Sequence, residues 1–388
     1  MKTAFLLVTA VQLCTYSFSQ NVGIGTTNPL YKLDVRNGSI NVDSVYRIGT
    51  ISVLAVPGLS NLFVGKDAGR VNYGFSNTIS GHEAGFNDTT GYQNSFFGHA
   101  AGYSNAQGVN NSFFGQIAGA QNTEGNNNSF FGQACGPSNT TGYQNSFFGQ
   151  GAGASNNEGN DNCFFGLQAG FYNSSGSENS FFGREAGYTN STGSNNTIFG
   201  FFANVFSSAL TNATAIGDHA VVDASNKVRI GNTSVTSIGG QVGWSTFSDG
   251  RFKLQVQEDV QGLAFIKKLR TVSYQVDLTV LSNYYSAGKS ELTKSSFLPQ
   301  NTNSLSPEFV RQSGFIAQEV EQAANELGFS FSGIDKPQNE KALYGLRYGD
   351  FVVPLVKAIQ EQQAIIDEQN KKIEMLMNEL TMIKEKLK

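Results

Sequence analysis

Charge is scarce in this chain. Only 14% of its 388 residues are Asp, Glu, Lys or Arg, and between Ser60 and Val205 the only basic residues are Lys66, Arg70 and Arg184. A net charge of -4 without a basic cluster excludes nucleic-acid binding, because phosphates demand several cationic contacts. Cysteine is scarce as well: apart from Cys14, only Cys135 and Cys163 occur, so no disulfide framework is indicated. The three histidines, His82, His99 and His219, are scattered and lack companions at metal-ligand spacing, so neither a metal site nor a cofactor is expected. Beyond the N-terminal leader no stretch is long and apolar enough to cross a bilayer, and no transmembrane segment is expected in the mature chain.

That leader occupies residues 1–19. Met1-Lys2 is a small positive start, Ala4 to Leu13 a short apolar stretch, and Ser17-Phe18-Ser19 a small-x-small cleavage site. A signal peptide of this kind places the mature terminus at Gln20 and the protein outside the cell or on its surface. Cys14 follows Val11-Gln12-Leu13, which lacks the small residue a lipid-anchor site usually needs.

What the chain has in abundance is a repeat. Asn94, Asn111, Asn128, Asn145, Asn162, Asn179 and Asn196 recur at a constant step of 17, and each opens the phrase Asn-(Ser/Thr/Cys)-(Phe/Ile)-Phe-Gly. Glycines close that phrase from Gly81 to Gly200 at the same step, with Gly65 one residue out of register, and two further glycine rows run Gly85 to Gly187 and Gly91 to Gly193. Nine rungs are visible. Cys135 and Cys163 occupy different places in the rung, Cys135 replacing a small alanine and Cys163 the serine of Asn-Ser-Phe-Phe. A unit of this length with three glycines cannot be a helix, since glycine costs ~1 kcal/mol relative to alanine there; it reads as short strands and tight turns stacked on their neighbours. In Asn-Ser-Phe-Phe-Gly the two phenylalanines face opposite ways. One fills the coil, and the other forms an outer row that a trimer about the fibre axis would bury. The asparagines of the Asn94 row are expected to bond amide to amide from rung to rung.

Asn-Ser-Phe-Phe-Gly-x-x-Ala-Gly, followed by Asn212-Ala-Thr-Ala-Ile-Gly-Asp218, resembles the head repeats of trimeric autotransporter adhesins and of many phage-type tail fibres. The doubled phenylalanine and the long period depart from the shorter adhesin repeat. Ahead of the array, residues 20–59 form an N-terminal cap or attachment segment. Its Asn21 to Val35 stretch is similar to the opening of many exported bacterial and phage-like tail-fibre proteins.

The array spans residues 60–205 and gives way to a neck over 206–247. Composition then changes at Trp244-Ser-Thr-Phe-Ser-Asp-Gly-Arg-Phe-Lys253. Helical spacing appears at Val260, Leu263 and Ile266 and again at Ile316, Val320, Ala323, Ala324 and Leu327, stopped by Gly328; Val272, Tyr274 and Val276 alternate as a strand. Residues 248–354 thus read as an α+β domain. Residues 355–388 read as a coiled coil, in register with Val352. One heptad row is Val352, Ile359, Ile366, Ile373, Leu380 and Leu387; its companion, Leu355, Gln362, Gln369, Leu376 and Ile383, is interrupted by two glutamines. Isoleucine in one core row leans towards three strands. The fold class is therefore a mainly β repeat fibre, a 17-residue β-roll or β-solenoid read as a trimer, followed by an α+β domain and a coiled-coil helix.

Ser248-Asp-Gly-Arg-Phe-Lys253, Gly314-Phe-Ile-Ala-Gln-Glu-Val-Glu321 and Tyr348-Gly-Asp-Phe-Val-Val-Pro-Leu-Val-Lys-Ala-Ile-Gln-Glu-Gln362 resemble, in that order, the C-terminal intramolecular chaperone of phage endosialidases and tail fibres, also found in myelin regulatory factor. The resemblance implies a single-turnover serine peptidase acting on its own chain: Ser248 as nucleophile, Lys253 as its base, cleavage between Phe247 and Ser248, and Asp249 and Arg251 in support. A lysine serves as a base only when desolvation or a nearby cation favours its neutral form, and Arg251 is the candidate neighbour. Five residues turn about 140° around an α-helix, so a helix would hold Ser248 and Lys253 apart; a turn at Asp249-Gly250 or a contact between subunits is needed. The alternative is an uncut surface adhesin or tail-fibre protein. A carbohydrate-active fibre is a third reading, resting on isolated carboxylates such as Glu83, Glu124, Glu158, Asp161, Glu178 and Glu185. The expected partners are two further copies of the chain and a cell-surface or glycan receptor.

Overall fold

The computed structural model describes residues 22–24, 26–30, 32–35, 45–49, 51–57, 60–235, 237–286 and 311–387. The expected signal peptide, its cleavage site and Cys14 lie outside the described residues.

Near the N-terminus, β1 (Val22–Ile24) pairs in parallel with β2 (Leu33–Val35). A hairpin follows, β3 (Val45–Ile48) and β4 (Ile51–Ala55), and β4 lies antiparallel against β5 (Leu62–Val64). From β5 the strands stack in parallel: β6 (Thr78–Ser80), β7 (Ser95–Phe97), β8 (Ser112–Phe114), β9 (Ser129–Phe131), β10 (Ser146–Phe148), β11 (Cys163–Phe165), β12 (Ser180–Phe182) and β13 (Thr197–Phe199). The stack runs on beyond the regular phrase. After β14 (Asn204–Val205) it continues through β15 (Thr214–Ile216), and after β16 (Val221–Val222) through β17 (Val228–Ile230). The last step, from Thr214 to Val228, is shorter than the regular one, so β17 escapes a search at the repeat's own period. The result is a β-solenoid with about two more rungs than the phrase alone shows.

The three-residue strands alternate as expected. Phe96, Phe113, Phe130, Phe147, Phe164 and Phe181 are fully buried, and consecutive rings stack with centroids 4.7–5.0 Å apart. Truncating such a ring to alanine typically costs about 3–5 kcal/mol. Opposite them lies a row of small residues, Ala101, Ala118, Cys135, Ala152 and Ala169, so Cys135 fills an alanine position and is free. The outer phenylalanines also stack on one another, yet Phe165 and Phe199 remain 57% exposed.

Two glycine rows have separate causes. At Gly132 φ is +145°, and a Cβ would lie 2.5 Å from the carbonyl oxygen of Gly149 on the next rung; at Gly136 φ is +51°, and a Cβ would strike the ring of Phe130. Another corner needs the left-handed conformation whatever residue occupies it. Glu83, Ala100, Ile117, Ala134 and Gln168 all have φ between 50° and 57° there, with Ile117 against its β-branched preference.

Asparagines line the interior as two rows, and the expected amide-to-amide bonds occur in both: in the Asn94 row Asn162 Nδ2 donates to Asn145 Oδ1 and Asn179 Nδ2 to Asn162 Oδ1, each at 3.1 Å. In the Asn94 row the side-chain oxygen accepts the next rung's backbone N–H: Asn111 N–H donates to Asn94 Oδ1 (2.9 Å) and Asn145 N–H to Asn128 Oδ1 (2.9 Å). Most side-chain nitrogens of that row donate to a glycine carbonyl, as Asn128 Nδ2 does to Gly142 O (2.8 Å). The unbroken amide-to-amide ladder is a second row: Asn122, Asn139, Asn156, Asn173 and Asn190 each donate from Nδ2 to the Oδ1 of the asparagine one rung earlier, at 2.7–2.8 Å. Buried backbone groups need such partners, and asparagine supplies a donor and an acceptor on one short arm.

The C-terminal part is a small α/β region. It contains α1 (Leu263–Ile266), β18 (Val272–Tyr274), α2 (Leu278–Ser286), β19 (Gln312–Gly314), α3 (Ala317–Glu326), β20 (Ile334–Asp335), β21 (Gly345–Leu346) and the long α4 (Val352–Lys386). β18 pairs antiparallel with β19, and β20 with β21. The core is Phe265, Val320, Ala323, Ala324, Ile334 and Phe351. Pro354 sits in the first turn of α4, where its missing N–H has no helical partner to lose.

Candidate functional site

The Ser248–Lys253 segment lies on an extended, exposed stretch of chain between the solenoid and the α/β region. Asp249 caps a single 3-10 turn, Gly250–Phe252, by accepting the Arg251 backbone N–H on Oδ1 (2.9 Å). The same carboxylate takes Arg251 Nε (3.0 Å) and Nη2 (2.6 Å), and this guanidinium contact holds the Asp249 carboxyl below the usual carboxylate range. A 3-10 turn winds more tightly than an α-helix. Its effect is to bring Lys253 Nζ to Ser248 Oγ at 2.8 Å, with the lysine donating. The angular mismatch of an α-helix is thus avoided by the turn at Asp249-Gly250.

Ser248 and Lys253 are in hydrogen-bond contact, but their surroundings are bare. Ser248 and Lys253 are both exposed, and so are their neighbours Trp244 (87%), Phe247 (75%) and Leu254 (88%). Arg251 is spent on Asp249 rather than on Lys253. Among the described residues, no hydrogen bond, ion pair or ring contact joins 248–253 to the α/β region.

The other two motif blocks do come together. Phe315 stacks on Phe351 with centroids 5.2 Å apart, and its N–H donates to Tyr348 Oη (3.1 Å). Gly314 must be glycine here, because a Cβ would fall 2.2 Å from Tyr348 Oη. Glu321 pairs with Lys336 (2.6 Å) and accepts Tyr344 Oη (2.8 Å), contacts that lower its carboxyl affinity for the proton. The Tyr348–Gln362 block runs into α4, which α1 contacts: Leu263 N–H donates to Glu361 Oε2 (2.7 Å).

This region is docked on the last rungs of the coil through charges. Asp223, with no exposed side-chain surface, pairs with Arg229 (3.2 Å) and accepts the Leu343 N–H on Oδ2 (3.1 Å). Lys227, also buried, reaches Asp335 on β20 (3.0 Å). Nothing in the sequence pattern pointed to this contact, since its partners lie far apart along the chain.

Among the described residues, two apolar surfaces are exposed. On α4 only Pro354 and Ala358 are buried, while Ile359 (65%), Ile373 (54%), Leu376 (63%) and Ile383 (53%) face solvent. The outer phenylalanine row is the second. No described helix is long and apolar enough to cross a membrane.

The histidines require a correction. His82 and His99 are one period apart, so the coil sets them in adjacent rungs with imidazoles stacked at 5.3 Å and 7°, and Glu83 joins them. Their separation by one full period was the signal in the sequence, and ligand spacings drawn from helices and loops do not contain it.

Residues 248–329 match the family described as chaperone of endosialidase. No curated protein and no solved structure matches the chain.

Proposed function

We propose that this chain, which carries a chaperone-of-endosialidase domain behind a β-solenoid, is an exported, homotrimeric, tail-fibre-like or adhesin-like protein whose C-terminal domain assembles the trimer and then cuts itself free before Ser248. The observation that carries the reading is the 2.8 Å contact between Lys253 Nζ and Ser248 Oγ at the first residue of the matched domain.

The chemistry uses this chain's own atoms. Lys253, in its neutral form, takes the proton of Ser248 Oγ, and the oxygen attacks the carbonyl carbon of Phe247. The Phe247–Ser248 amide bond breaks as the proton passes to the Ser248 nitrogen, leaving an ester between Phe247 and Ser248 Oγ. Water then hydrolyses the ester, giving a Phe247 carboxylate and a free Ser248 hydroxyl and amine. In the single chain the lysine donates to the serine, opposite to proton abstraction, and the pair is wet. Association offers the missing cover, because desolvation favours a neutral lysine. The open apolar side chains of 242–256, the exposed face of α4 and the outer phenylalanines support association as the trigger. Holding three C-termini together also raises the effective concentration of the strands above them.

Freshly expressed protein, followed by intact-mass spectrometry and gel filtration, tests this. The expected result is trimeric protein in two pieces, the C-terminal one starting Ser-Asp-Gly-Arg, with Ser248→Ala and Lys253→Ala remaining whole but still trimeric. Wild-type protein that assembles and stays intact, or a Ser248→Ala chain cut at the same bond, refutes self-cleavage and leaves the uncut fibre.

A further inference from the structure

One corner of the solenoid departs from its own repeat in a chemically specific way. The row that begins at His82 and His99 continues as Gln116, Gln133 and Gln150, whose amides bond rung to rung at 3.1 Å. The neighbouring corner position holds Glu83 in the His82 rung, then Ala100, Ile117 and Ala134. Within one pair of rungs, therefore, two imidazoles stand in the row that amides occupy next, with a carboxylate beside them.

The backbone explains why they converge. Ala100 N–H donates to His82 O (2.9 Å) and Ile117 N–H to His99 O (2.9 Å), so the corners are fixed at the strand-to-strand spacing. Glu83 has φ 57°, and this left-handed turn brings its carboxylate round to the imidazole preceding it, with Oε1 3.8 Å from His82 Nε2. One ligand atom from each of the three residues lies within 4.8 Å of the others.

We propose that His82, Glu83 and His99 form a binding site for a divalent transition-metal ion of the zinc class. Two imidazole nitrogens and one carboxylate oxygen are a zinc donor set, with ligands about 2.0–2.2 Å from the metal and hence about 3.4 Å from one another. Small rotations of these solvent-facing side chains close that gap, while the hydrogen-bonded corner stays in place. Calcium and magnesium are disfavoured, because they take six or more oxygens or an octahedron of oxygen ligands and gain nothing from imidazole. Three protein ligands leave at least one position to water or to an incoming donor. An ion bound here clamps β6 to β7 at the N-terminal end of the coil. The site does not depend on the processing reaction.

The row itself supplies the test. His82→Gln and His99→Gln introduce the residue that the next three rungs carry, so the corner keeps its shape. Untagged full-length chain is titrated with zinc chloride by calorimetry and with cobalt chloride by visible absorption. One zinc per chain and four-coordinate cobalt bands are expected, with at least a tenfold loss of affinity in Glu83→Gln and loss of both signals in His82→Gln/His99→Gln. His219→Gln should bind like wild type, and magnesium chloride should give no heat. Hydrogen exchange of residues 78–100 should slow on zinc addition in the wild type only. The absence of saturable zinc binding overturns the proposal, as does unchanged binding in the double variant, whose fold circular dichroism and gel filtration would verify.

Discussion

Asn128→Ala isolates the contribution of the buried asparagine row. Asn128 is completely buried, its Oδ1 accepts the Asn145 N–H at 2.9 Å and its Nδ2 donates to Gly142 O at 2.8 Å. Truncation leaves the Asn145 N–H without a partner inside the coil, a loss of about 1–3 kcal/mol. Gly142 O keeps a second donor, Asn139 Nδ2 at 2.9 Å, so only an ordinary hydrogen bond, about 0.5–1.5 kcal/mol, is forfeited there. The sum is about 1.5–4.5 kcal/mol, or about 10- to 2,000-fold in a local opening constant. Because each rung touches only its neighbours, the loss should be local. Hydrogen exchange read by mass spectrometry should quicken by that factor over residues 111–146 and stay at the wild-type rate around β13. Glu124→Ala, on an exposed turn of the same rung, should change nothing beyond about 0.5 kcal/mol. Unaltered exchange across residues 111–146 would refute the ladder's role, and a uniform rise along the whole coil would refute the nearest-neighbour reading.

Asp88 and the apolar row of α4 each give a further expected outcome. Asp88 occupies the amide-ladder row one rung before Asn105, and burial pushes its carboxyl from 3.8 up to about 7. The folded chain then keeps a proton that the unfolded chain loses, so the contribution of Asp88 to stability is greatest below about pH 4 and falls as pH rises to about 7, by at most about 4 kcal/mol. Asp88→Asn, which supplies the ladder's usual residue, should abolish that fall and raise thermal stability at pH 8; a parallel pH profile for the two proteins contradicts this. Separately, Ile366→Ser with Ile373→Ser removes two apolar residues from the uncovered row of α4, and sedimentation should report loss of self-association with the solenoid's circular dichroism retained in whatever stays soluble. Unchanged association by the double variant removes α4 from the interface.

The solenoid was legible because its cause is periodic. A strict step of 17 fixes strand stacking, the buried Phe96 row and the positions of the glycines before any coordinate is known. The helix over Ala317–Glu326 and the long C-terminal helix were legible for the same reason, through apolar spacing. What escaped depended on departures from the period or on distance. β17 follows β15 by less than a full period, and the bonds of Asp223 to Leu343 and of Lys227 to Asp335 join segments that share no pattern. The Ser248 and Lys253 approach could be posed as a requirement from the sequence, but only the Asp249-capped turn shows how it is met in one chain. The two asparagine rows are indistinguishable by period because both repeat at the same step; which atoms meet depends on where each residue stands in the corner.

The sameness of the rungs carries a hazard of its own. A strand such as Ser129–Phe131 would find an almost equivalent neighbour two rungs away, with one rung extruded as a loop, and the mismatched stack would keep its phenylalanine column and its asparagine contacts. A ruler whose marks are all alike needs a zero. The buried Asp223, bonded to the α/β region at one end of the coil, supplies a mark that no other rung can imitate. Counting rungs from that fixed end gives a uniform array a unique alignment, within one chain and between copies laid side by side.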